Sequence, residues 1–325
     1  MRIALLLAGA AFATLLEAPS AEAAAIDCAK AKFPYDKAIC ADPALRQLDA
    51  DLAAAYDKLA GQATAAGQTR IRRGEHARHA YAEELCATTD KACLEAAYRQ
   101  GLSSVAKFAD QPAGTVLVPV ERFRLSPADG PGPQTQTSVQ LAFPRLDQPP
   151  QPWADRFAQA ARQAAEDLLP DEPGTDTVVD YRPTYWAPDL VTVAFFVWSF
   201  PHGAAHGIGR QVAFDYLPAQ QRGLRPTDLF QPGTTWSGFL AQRAFEGLQA
   251  QATAGGWTLM ASGPGELETL VADPEDWLIR PGGLGLSFAP DSVAASVTGA
   301  HEVLIPWTDL KPYLSEAPAF AIPQP

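Results

Sequence analysis

The sequence predicts a two-part chain: a disulfide-clamped bundle of three helices, then an α+β domain with an antiparallel sheet and two main helices. Three observations predict it. The four cysteines, Cys28, Cys40, Cys86 and Cys93, all fall in the first third of the 325 residues, among segments of helical periodicity. Near residue 110 the composition changes, and proline and glycine then punctuate short runs of strand character. Those runs are interrupted by two amphipathic segments, and strands, helix, strands, helix, strands is the order of an α+β domain. Hydrophobic residues make up 47% and charged residues 19%, a balance that supplies a packed core.

The first residues read as a targeting segment. Arg2 precedes the apolar run "IALLLAGAAFATLL", and Ala21-x-Ala23 and Ala23-x-Ala25 offer small-residue cleavage sites. This is the layout of a secretory signal peptide over residues 1–23, and the run is short for a membrane span. Cys28 follows Ile26 and Asp27 rather than small residues, so a lipid anchor is not expected. The reading is of a periplasmic or secreted chain, soluble once cleaved and not membrane-embedded. In that compartment an even number of cysteines implies two disulfides, of which four cysteines allow three connectivities. Zinc favours closer pairs than Cys-x6-Cys and Cys-x11-Cys.

Residues 24–109 form the helical part. Asp42 and Pro43 are a favoured N-cap and first helical residue. Leu45, Leu48, Leu52, Tyr56 and Leu59 then mark one face, and Gly61 or Gly67 ends the helix. A second helix of weaker pattern is expected over about 69–85. A third follows Asp90, with Leu94, Tyr98, Leu102 and Val105 on one face. An up-down-up path brings Cys40, Cys86 and Cys93 to one end, within reach of Cys28.

A linker over 110–116 leads to the α+β part, 117–316, with a tail at 317–325. "TVLVPVERFRL" and "TSVQLAF" have strand composition, split by "SPADGPGP". A helix is expected through Trp153, Phe157, Ala161, Ala164 and Leu168. "TDTVVDYRP", "LVTVAFFVWSF" and "GRQVAFDYL" read as strands, the second apolar on both faces and hence central. A helix over "TTWSGFLAQRAFEGLQAQ" precedes short strands in "DWLIRPGGLGLSFAP", "VAASV" and "HEVLIP", and "WTDLKPYL" turns helical.

Two resemblances stand on these residues. Cys40, Asp42, Pro43, Leu45, Leu48, Asp49 and Tyr56, with the cysteines near the later helix ends, resemble the LprI-type lysozyme inhibitors over about 28–108. That family has a Gln, a Trp and an Arg before its third cysteine, where this chain has Glu75, Arg78 and Ala82; if that face meets a partner, the contact is altered. Gly203-Ala-Ala-His206-Gly207, Phe214-Asp215, the run Gly223 to Phe230 with Asp228, Gly299 and Ile305-Pro306-Trp307 resemble the extracellular domain of RsiV-type anti-sigma factors and PdaC-type deacetylases, over about 115–315. Both resemblances imply a lysozyme-binding protein.

Charge is compatible with that. Residues 24–110 carry twelve basic and twelve acidic residues, whereas residues 111–325 carry twelve and twenty-three. An acidic C-terminal part argues against nucleic acid and permits a cationic partner. "FPHGAAHG", Phe200 to Gly207, carries His202 and His206 four residues apart, but it lacks the glutamate of His-Glu-x-x-His and sits between two strands. It reads as a hairpin turn, its glycines serving positive φ or close approach. No Gly-x-Ser-x-Gly occurs. The sequence reading is therefore of a binding protein with no catalytic residues, metal or cofactor. Its partner is a cationic protein of the lysozyme class; peptidoglycan binding or envelope sensing is the alternative. Candidate partner contacts are His206, Tyr185 and Trp186; the last two fall in a loop before a strand, where Trp186 is either exposed or packed beneath the loop.

Overall fold

The computed structural model describes residues 25–87, 90–128, 135–171 and 173–323. The expected signal segment, 1–23, lies outside them.

The helical part holds four helices rather than three. α1 (Pro34–Ala41) has only eight residues and buries Tyr35 and Ile39, a single pair too short to show a period in sequence. α2 (Pro43–Ala60) starts as expected: Asp42 Oδ1 accepts from the N–H groups of Ala44 (2.8 Å) and Leu45 (3.2 Å). α3 (Ala65–Leu85) begins four residues earlier than the periodicity suggests, because the Thr64 hydroxyl caps Gly67 N–H. α4 (Lys91–Ala109) is capped by Asp90. The disulfides are Cys28–Cys40 and Cys86–Cys93. Both lie at one end of the bundle, where Lys91 at the start of α4 pairs with Asp42 at 2.6 Å.

Six strands follow in sheet order: β1 (Val116–Pro127), β2 (Gln136–Gln148), β3 (Thr175–Ala187), β4 (Leu190–Pro201), β5 (Ile208–Leu217) and β6 (Arg222–Gly223). The pairs are antiparallel except one. β2 leads into α5 (Ala154–Asp167), which carries the chain back to start β3 in the same direction. Thus Val139–Leu141 pair with Thr177–Val179 in parallel. β4 is interior and buries Val191, Val193, Ala194 and Phe195, as its apolar sequence requires.

Side chains alternate along a strand. Glu121 of β1 meets Arg78 of α3, while neighbouring Arg122 pairs with Glu166 of α5 at 2.9 Å. The helical bundle and α5 therefore cover opposite faces. Residues 110–116 join two halves with one continuous core, running from Tyr35 and Leu52 through Phe108 to Tyr181 and Phe195. Polar ties reinforce it. Thr64 donates from N–H and hydroxyl to Asp147, both at 2.7 Å, and Lys107 reaches buried Asp180 at 2.9 Å.

A second core lies under α6 (Pro226–Leu229), α7 (Trp236–Gly255), a three-stranded antiparallel sheet of β7 (Trp277–Arg280), β8 (Gly283–Phe288) and β9 (His301–Pro306), and the single turn α8 (Trp307–Leu310). The expected strand in "VAASV" does not form. Asp291 accepts from Ser296 N–H at 2.7 Å and Gly299 takes φ +78°, so this segment closes on itself in a 3₁₀ turn over Ser296–Thr298.

Candidate binding surface

The β4–β5 hairpin turns at "FPHGAAHG", and its glycines do the two things expected of them. Gly203 takes φ +87°, a region that costs a side-chain-bearing residue about 1 kcal/mol. Gly207 lies under the Trp198 indole, whose atoms a Cβ there would meet at 2.6 Å. The histidines do not share a face. His202 is buried, with Nε2 3.4 Å from Asp176 Oδ1 and its main-chain N–H on Gly174 O at 2.8 Å. His206 is exposed at the tip, its Nδ1 3.1 Å from the carbonyl of Gly207.

Beside this turn the molecule exposes apolar surface. Trp198 is 45% and Ile208 48% exposed, and Trp198 stacks on Phe200 with ring centroids 6.1 Å apart and planes 8° apart. The stack and the glycine floor hold the indole in place although one face is open to water. Sequence reasoning missed this residue. The signal was the hairpin pairing, which sets Trp198 opposite Gly209, a cross-strand aromatic over a glycine.

Tyr185 and Trp186 lie elsewhere than expected. They end β3 rather than occupy a loop, and both are half-buried. Trp186 packs on Trp153 with centroids 5.7 Å apart, and Tyr185 leans on the second core. Two adjacent strands, β3 and β4, meet in a tight turn there, and this leaves no loop to expose them.

Of the helix-one motif, Leu45, Leu48, Asp49 and Tyr56 are interior, whereas Pro43 is exposed. Asp49 accepts from Ile26 N–H (2.7 Å) and the Tyr98 hydroxyl (3.0 Å). Tyr56 donates to Glu121 Oε2 at 2.8 Å and accepts from Arg78 Nε at 2.9 Å. Glu75, Arg78 and Ala82 are buried, so that face meets the sheet and neighbouring helices rather than solvent. Arg78 serves as the joint between bundle and sheet. Asp228 is likewise structural: it takes both guanidinium nitrogens of Arg222 at 2.6 and 2.7 Å, which holds its carboxyl below the usual range.

On the far side of β5 from the hairpin's other strand, a groove of about 460 Å³ runs between α5 and the turn Pro274–Asp276. Asp167, Asp215 and Glu275 line it, with Arg210 as the lining cation. Asp215 is buried, and neither of its carboxylate oxygens has a hydrogen-bond partner. Burial pushes its carboxyl up to about 7. Asp276, next to the groove, is also pushed up to about 7, by burial and by repulsion from Asp273 and Glu275, against the pull of Arg210.

Fold and site together define an α+β protein with a preformed aromatic knob beside an acidic groove. Its C-terminal part contains a domain that matches a family described as a protein of unknown function, DUF3298, over residues 227–308. That span holds α7 and β7–β9 and stops short of the hairpin. Two solved structures of DUF3298 proteins are similar to the chain. One from Bacteroides fragilis is 12% identical, with TM-score 0.46, covering 63% of this chain and 95% of its own. One from Pseudomonas aeruginosa is 19% identical, with TM-score 0.43, covering 64% and 97%. No curated protein matches the chain.

Proposed function

We propose that the chain is an exported cell-envelope protein that binds a cationic protein, a lysozyme-type muramidase, and inhibits it by covering its cleft. The exposed Trp198 indole, stacked on Phe200, carries the reading. Large aromatic side chains fixed at a surface are the commonest anchors of protein interfaces. An indole kept half in water by a glycine floor and a stacked phenylalanine is preorganised for that use. His206 lies on the same hairpin tip, where it supplies a polar rim.

Three further features support it. The excess of acidic residues after position 110 favours encounter with a basic partner at low ionic strength. Two disulfides suit an oxidising compartment. The sequence resemblances at both ends converge on lysozyme. Steric blockade requires no chemistry from the chain itself.

The test is a muramidase assay on suspended cells with residues 24–325 added at low and at physiological salt. Inhibition that weakens with salt supports the reading. Full lysozyme activity at every salt concentration, with cosedimentation of the chain on purified sacculi, would replace it with peptidoglycan binding.

A further inference from the structure

The register of β5 leaves part of its main chain without a partner. Leu217 O accepts from Gln221 N–H and Asp215 O from Leu224 N–H, so odd-numbered residues of β5 direct their main-chain groups away from β4. β6 covers only Tyr216 and Leu217. Gly209, Gln211 and Ala213 therefore present N–H and C=O groups outward, and no further strand lies on them among the described residues. Proteins commonly protect such an edge with proline or a covering element; here the acidic groove opens along it.

We propose that this edge takes an extended, basic segment of a partner polypeptide as an added strand. Main-chain hydrogen bonds to Gly209, Gln211 and Ala213 give the pairing. Lysine or arginine side chains on the segment meet the exposed Asp167 and Glu275. Charge complementarity selects this occupant: the groove lining carries exposed Asp167 and Glu275 against one cation, Arg210. The strand edge adds the second feature, main-chain groups of Gly209 and Gln211 that no partner strand among the described residues covers beside this lining. Trp198, opposite Gly209 near the outer end of the hairpin, supplies the apolar anchor. The edge from Gly209 to Ala213 fits a segment of about five residues at 3.3 Å each.

This rests on the reading of the chain as a binder of cationic proteins, and adds the mode by which it grips one. The probe is a fluorescein-labelled decapeptide alternating lysine and valine, titrated into the full mature chain. Two control peptides carry glutamate for lysine, or N-methyl groups on every amide. The lysine peptide is expected to bind and both controls to fail. Gln211→Pro removes one outward N–H, which edge strands tolerate, and is expected to weaken binding by about tenfold, the worth of one to two main-chain hydrogen bonds. Equal binding of the N-methylated peptide overturns strand addition, even where Gln211→Pro fails to fold. So does unchanged peptide affinity in folded Gln211→Pro. Peptide binding without lysozyme binding removes the proposed muramidase partner alone; lysozyme binding without peptide binding removes the groove alone.

Discussion

Replacing Asp215 by asparagine should stabilise the protein, and more so at higher pH. In the folded chain this carboxyl keeps its proton up to about pH 7, because burial opposes its charged form. Thr192, its register partner on β4, offsets this a little without completing a hydrogen bond. In the unfolded chain the group ionises near its ordinary 3.8. Between those values the unfolded state binds fewer protons, so stability falls as pH rises through this window and is level above it. Three pH units at about 1.4 kcal/mol each put the full cost near 4 kcal/mol. Asparagine, neutral throughout and of the same shape, removes it. The expected gain is about 1–2 kcal/mol at pH 5, rising to about 3–4 kcal/mol at pH 8. Urea unfolding of both proteins at the two pH values measures it. A gain equal at pH 5 and pH 8, or a loss at pH 8, would refute the assignment of a protonated, unpartnered carboxyl at this position.

Other consequences are as specific. Arg78→Ala leaves the Glu121 carboxylate buried with the Tyr56 hydroxyl but without its cation, and should cost about 3–5 kcal/mol, read from chemical denaturation. Cys28→Ser with Cys40→Ser opens a loop of twelve residues and should cost about 2–3 kcal/mol; an unchanged denaturation midpoint would mean that α1 is held by packing alone. Gly207→Ala drives a methyl group into the Trp198 ring and should shift the indole's fluorescence while the far-ultraviolet circular dichroism stays constant. Gly203→Ala, at φ +87°, should lower stability by about 1 kcal/mol without moving that fluorescence.

Most of the fold was legible because its signals are local. The leucines and Tyr56 of α2, the Asp42 and Asp90 caps and the doubly apolar β4 each declare themselves within about twenty residues. The departures arise where tertiary context decides. α1 spans barely two turns and buries one pair of residues, too few to show a period. β2 and β3 run parallel because of a crossover helix, which no strand's composition records. Residues 293–298 have strand composition but satisfy their own main chain through Asp291. The candidate site was half legible. "FPHGAAHG" gave the turn and both glycine roles, whereas the open edge of β5 depends on which strand ends the sheet. Tyr185 and Trp186 were misplaced for the same reason, since the partners that bury them, Trp153 and the second core, are distant in sequence. Arg78 stands where the resemblance leaves a partner contact open, and it joins the two halves of the molecule through Glu121 and Tyr56.

Calorimetric titration of a c-type lysozyme into residues 24–325 at low ionic strength, with wild type and Trp198→Ala compared, tests the central claim most directly. The account predicts a one-to-one complex with wild type. It predicts at least about tenfold weaker binding by the variant, at a thermal midpoint within the ordinary range of surface substitutions. Equal affinity for wild type and variant, or no complex with wild type, would contradict it.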